Sequence, residues 1–173
     1  MSCLSRLAHR APVPSPFTRL IAYEIYDGPV SGLSICDDTG ETFVFQLLAW
    51  DERQSLRAFC FFPLGHDIAT RVISALEAVL PPRWPEWWLN PRSEAERNRT
   101  ETIIQEAFDG AEPPNLVVVC RDLLGSFERT KLLVSSGEIR QFDLLNRRVS
   151  DVIGMTETDF SVWLDFLGDP DRN

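Results

Sequence analysis

The stretch ETFVFQLLAW, residues 41 to 50, places Phe43, Phe45, Leu47 and Ala49 on one face of an extended chain, with Thr42, Val44, Gln46, Leu48 and Trp50 on the other. The first face is wholly apolar and the second largely so, the pattern of a strand that is covered on both sides. The neighbouring segments read the same way. Phe17, Ile21, Tyr23 and Ile25 share one face, Asp27-Gly28-Pro29 turns the chain, and Leu33 and Ile35 alternate with Ser34 and Cys36. Asp38-Thr39-Gly40 makes the next turn, and after the polar link Asp51 to Ser55 the run LRAFCFFPL closes a four-stranded meander.

Pro63 and Gly65 end the strand pattern, and Asp67 is placed to cap a helix whose apolar stripe is Ile68, Val72, Ile73, Leu76, Val79 and Leu80. A second helix opens at Ser93-Glu94-Ala95-Glu96, which fits a capping box. Its first half is polar all round, and only Ile103, Ile104, Ala107 and Phe108 are expected to be buried. LVVVC, residues 116 to 120, is a continuous apolar run suited to the sheet interior. ERTKLLV, the Ser135-Ser136-Gly137 turn and EIRQFDLL read as a hairpin. A terminal amphipathic helix follows, with Thr156 as cap, Phe160, Trp163, Leu164 and Leu167 on one face, and Gly168 as stop. The expected fold is α+β: a mainly antiparallel sheet, built from the N-terminal four-stranded meander plus later strands, packed by about three helices. It forms a single globular domain over residues 17–168, between a flexible N-terminal arm (1–16) and a solvated tail (169–173).

A chain of 173 residues with 44 % hydrophobic and 25 % charged residues can bury a core without disulfides or metal. The first sixteen residues contain no unbroken apolar run of signal-peptide type, and no later run approaches a membrane span, so a cytoplasmic location is expected. Cys3, Cys36, Cys60 and Cys120 lack both the CxxC spacing of a zinc site and the density of a disulfide framework; buried thiols are expected. The net charge of −9 opposes binding to nucleic acid or anionic membranes and favours a basic protein partner. Arginine supplies all but one of the 17 positive residues, Lys131 being the exception, which suggests a GC-rich bacterial coding bias.

Catalytic and cofactor motifs do not assemble, and neither a metal site nor a cofactor is expected. Two histidines, His9 and His66, are too few for a metal centre of the His-Asp type, and no glycine-rich phosphate loop occurs. Cys120 at the end of a buried strand is read as a core thiol, and Asp51 and Glu52 as turn residues.

The segment PPRWPEWWLNPR, residues 81 to 92, concentrates three of the five tryptophans among four prolines. Each ring buries roughly 150–250 Å² when packed, so part of this loop should plug the core. Trp87 and Trp88 are adjacent and must diverge on an extended backbone, so at least one stays at the surface. Trp84, Trp87 and Trp88, with Arg83 and Arg92, are therefore the candidate binding residues, since Trp and Arg dominate interface hot spots.

The C-terminal stretch GEIRQFDLLNRRVSDVIGMTETDFSVWLDFL, residues 137 to 167, resembles the end of SUKH-type bacterial toxin-immunity proteins: a strand after a glycine turn, a variable link, and a short helix with a Phe and a hydrophobic pair. That resemblance implies an immunity protein that binds a toxin; no functional residue carries over from it. Two functions from different classes are thus expected. The first is a non-enzymatic protein-binding domain, such as an immunity or antitoxin-like inhibitor of a basic partner. The second is a small-molecule or hydrolytic domain with a pocket between sheet and helices, using Asp51, Glu52, His66 or Cys120.

Overall fold

A computed structural model describes residues 2–7 and 12–133, together with Leu164 and Leu167. The four meander strands form, although Phe17, expected on the face of Ile21, joins the opposite core. Strands β2 (Arg19–Ile25), β3 (Pro29–Cys36), β4 (Glu41–Asp51) and β5 (Leu56–Leu64) pair antiparallel in sequence order. They belong to one eight-stranded sheet of order β1-β8-β7-β5-β4-β3-β2-β6, completed by β1 (Val13–Pro14), β6 (Glu86–Trp88), β7 (Leu116–Cys120) and β8 (Ser126–Leu132). Helix α1 (His66–Val79) links β5 to the tryptophan segment, and α2 (Glu94–Asp109) links that segment to β7.

The expectation of a mainly antiparallel sheet packed by about three helices is corrected here. The sheet is curled, and it is mixed because the tryptophan segment, read as a loop, pairs parallel to β2: Leu20 lies opposite Glu86, Ile21 opposite Trp87, and Ala22 opposite Trp88. The chain leaves β5, crosses over through α1 and returns to the far edge in the direction of β2. Two α-helices are present among the described residues. Of the terminal helix, Leu164 and Leu167 are helical and pack on the core; Phe160 and Trp163 lie outside the described residues, as do the 135–137 turn and the strand expected after it. Asp67 is not the cap of α1: Gly65 holds that position without a side-chain bond, and Asp67 sits in the first turn, where its charge favours the helix dipole. Ser93 does cap α2, accepting the Glu96 N–H at 3.1 Å. The Glu96 carboxylate reaches the Arg92 N–H rather than that of Ser93.

Curling follows from a length argument. Pro14 in β1 and Arg19 in β2 are five residues apart, so the chain can separate them by at most about 18 Å. Six strand spacings lie between β1 and β2 in the sheet, about 29 Å if it were flat. The sheet must therefore bend towards itself, and Phe17, in the link, marks the closure. Its ring stacks on Phe61 at 4.9 Å and lies 5.6 Å from Phe43 and 6.0 Å from Phe127 of β8. Ser15 ties the same link to the loop before β8: its N–H donates to the Gly125 carbonyl at 2.8 Å, and its hydroxyl donates to the Leu123 carbonyl at 2.6 Å.

Two cores result. The concave face holds an aromatic cluster that includes Phe17, Phe43, Phe45, Phe59, Phe61 and Phe127. The convex face carries Ile21, Leu33, Val44, Phe62 and Val117 under Val72 and Leu76 of α1 and Ile104 and Ala107 of α2. LVVVC is buried at all five positions because β7 contributes to both cores. The segment expected as an arm enters the fold in part: Cys3, Leu4 and Leu7 of a short 3-10 turn (Cys3–Arg6) and its flank are buried against the concave core. Glu41, at the start of β4, holds that turn. Its carboxylate accepts from the Ser2 hydroxyl at 2.8 Å, from the Cys3 N–H, and from the Thr39 hydroxyl at 2.8 Å. Partial burial alone would raise the Glu41 pKa, but these donors outweigh it and hold the carboxyl below its ordinary value.

Phe17→Ala should destabilise the protein by about 3–5 kcal/mol in urea unfolding, since a fully packed ring leaves a cavity at the closure. Because the Glu41 pKa is depressed in the fold, its contribution is fully present above the ordinary glutamate range and is lost as the pH falls through the lowered value. Glu41→Gln should accordingly expose Cys3 to a pyridyl disulfide at neutral pH, seen as one fast-reacting thiol, whereas the parent protein shows that reactivity only in acid.

Candidate functional site

The tryptophan segment divides as strand geometry requires. In β6, Trp87 points into the convex core and is 3 % exposed, whereas Trp88 points to the other face and is 40 % exposed. Trp84 is half-buried: it meets Trp87 edge to face at 5.6 Å and carries the Arg19 guanidinium over its ring at 4.6 Å. Arg83 and Arg92 are exposed, and neither lies beside Trp88 in the cleft described next. Of the five residues singled out from sequence, Trp88 alone lines that cleft.

That cavity, about 620 Å³, opens at the end of the concave face opposite the Glu41 turn. Trp88 and Glu86 of β6 line one side, Trp50, Asp51, Glu52 and Arg57 of the β4–β5 hairpin another, and Arg121, Asp122 and Leu123 after β7 a third; Leu20 and Phe59 contribute apolar wall. Trp50 reaches this face through a β-bulge. Pairing of β4 with β5 shifts between Leu47 and Ala49, so that Leu48 and Ala49 both join the convex core and Trp50 turns to the concave side. Strict alternation would have put Trp50 with Gln46 and Leu48. Tyr26, 47 % exposed, extends the aromatic wall at 6.2 Å from Trp50.

The polar groups fall into two sets. One set is engaged in shaping loops. Arg57 donates to the Asp27 carbonyl and fixes the β2–β3 turn over the cleft; burial lowers its pKa, opposed by the Asp27 charge, and a guanidinium remains protonated through such a shift. Gly28 lies against it with φ of +128°, and a side chain there would run into the guanidinium. Arg121 donates to the Gln54 carbonyl at 2.7 Å, and Asp51 accepts the N–H groups of Arg53 and Gln54 at 2.9 and 3.3 Å. Asp122 caps the Leu124 N–H at 2.9 Å. The other set, the Glu52 and Glu86 carboxylates, makes no hydrogen bond or ion pair among the described residues.

The residues weighed for catalysis do not converge. Cys120 is buried, and burial together with Asp122 pushes its thiol pKa up against the opposing effect of Arg57, which leaves it a poor nucleophile. His66 is exposed at the start of α1, outside the cleft. The space between sheet and helices is filled by the convex core, and the cleft lies on the other face. All four cysteines are buried without a disulfide; among the described residues no group of His, Cys, Asp and Glu could hold a metal ion, and no helix is long and apolar enough to cross a membrane.

Trp50, Arg57, Glu86 and Asp122 were not singled out together by sequence reasoning, because they lie on three separate segments, the β4–β5 hairpin, β6 and the loop after β7, that only the fold assembles. Comparison of the chain with family models, curated proteins and solved structures returns no match. The segment 137–167, on which the expectation of a SUKH-type immunity protein rests, lies outside the described residues except for Leu164 and Leu167.

In solution, iodide or acrylamide should quench the Trp88 emission and leave Trp87 protected, when each is isolated by comparison with Trp88→Phe and Trp87→Phe variants. Equal protection of the two would contradict the strand register assigned to β6.

Proposed function

We propose that the protein is a non-enzymatic binding domain that takes a basic segment of a partner protein into the cleft at the open end of its curled sheet. The observation that carries this reading is the composition of the cleft: five carboxylates (Asp27, Asp51, Glu52, Glu86, Asp122) face two guanidinium groups, and exposed aromatic surface from Trp88 stands among them. Both guanidinium groups already donate to backbone carbonyls, so the unused capacity is anionic. Aromatic rings supply desolvated contact, and the surrounding charge steers a cationic partner. The overall charge of −9 acts in the same direction. An immunity or antitoxin-like inhibitor of a basic protein would have this balance of charge and anchor.

A partner recovered by copurification from the native host should be basic, and its association rate should fall roughly tenfold between about 0.05 and about 0.3 M salt as screening shortens the reach of the field. The double variant Glu52→Gln/Glu86→Gln should slow association at low salt and leave dissociation nearly unchanged. A salt-independent rate, or an acidic partner, would overturn the proposal.

A further inference from the structure

We infer that the group the cleft receives is a guanidinium, an arginine side chain of the partner stacked on Trp88 and paired with Glu86. This rests on the binding reading above and narrows it to one side-chain chemistry. The chain already contains the arrangement once. On the convex side, the Arg19 guanidinium carbon stands 4.6 Å from the centre of the Trp84 ring, and its Nη2 pairs with the Asp37 carboxylate at 2.5 Å. Indole face, planar cation and carboxylate satisfy one another: the ring quadrupole attracts the cation, while the fork of N–H groups remains free to bind oxygen in its plane.

Four residues further on, Trp88 and Glu86 offer the same indole and carboxylate on the concave face, and among the described residues no cation stacks on that ring or pairs with that carboxylate. The parity of β6 places both side chains on that face, opposite Trp87. The cations of the cleft cannot reach Trp88 and Glu86 without releasing their loops: Arg57 donates to the Asp27 carbonyl, and Arg121 donates to the Gln54 carbonyl and pairs with Glu128 at 3.8 Å. Lysine would satisfy the charge but not the stacking. Its compact ammonium keeps its water more tightly and makes a single contact where a guanidinium makes a plane and a fork.

The test uses the full chain, labelled with ¹⁵N in tryptophan, and two peptides of equal length that alternate glycine with arginine or glycine with lysine. The Trp88 indole N–H signal is assigned by its loss in Trp88→Phe. The arginine peptide should bind about 3- to 10-fold tighter than the lysine peptide and shift the Trp88 signal. Glu86→Gln and Trp88→Ala should each remove that preference. Trp88→Leu, which keeps apolar bulk on the edge strand, should remove it too, so that loss of the ring is separated from loss of folding. Equal affinity for the two peptides, or a preference that survives Trp88→Ala, overturns the guanidinium assignment and leaves the basic-segment reading standing. Failure of both peptides to bind at low salt overturns that reading as well.

Discussion

The link between β1 and β2 is too short for a flat sheet, and the rest of the molecule follows from that constraint. Residues 15 to 18 must carry the chain across a gap that six strand spacings would otherwise open, so the outer strands are drawn together around Phe17. The closure gives the concave face an interior of its own. Phenylalanines from β4, β5 and β8 that would stand at a solvated sheet surface instead bury one another, and dispersion among stacked and edge-on rings adds to the area they remove from water.

The two ends of that interior are treated differently. Near Glu41, the 3-10 turn places Cys3, Leu4 and Leu7 against the aromatic cluster and is fixed there by three donors to one carboxylate. At the other end no segment among the described residues fills the space, and the walls carry charge. The turn residues that shape this end, Asp51 and Asp122, spend one carboxylate oxygen each on capping backbone N–H groups, which rigidifies the rim. The Glu52 and Glu86 carboxylates make no such bond among the described residues. On the proposed reading the fold thus separates its tasks: the convex core and helices hold the sheet, the curl makes the cavity, and the rim sets the sign of what enters.

The longer elements were legible in the sequence because their local signals agree with their surroundings. The alternation of Phe43, Phe45 and Leu47, the unbroken LVVVC and the Ser93 cap all describe what the structure contains. The edges were not legible. A three-residue strand between prolines, Glu86–Trp88, and a two-residue strand, Val13–Pro14, are too short to show a period, and their pairing depends on strands distant in sequence. The bulge after Leu47 was hidden for another reason: Leu48 and Ala49 are both apolar, so either could face the core, and no glycine marks the extra residue. That one-residue shift decides whether Trp50 lines the cleft. For the tryptophan segment, sequence could say that Trp87 and Trp88 diverge, but not which ring the core would take.

The closure is tested most directly by proton–proton contacts between Phe17 and Phe127 in protein labelled at phenylalanine. With ring centres 6.0 Å apart, their edges approach closely enough for nuclear Overhauser cross-peaks. The account requires these cross-peaks in the folded protein at neutral pH, together with cross-peaks from Phe17 to Phe61. Their absence from a protein that retains the β7–β8 pairing would mean that the sheet lies open, and the cleft at its end would then have no walls to bind with.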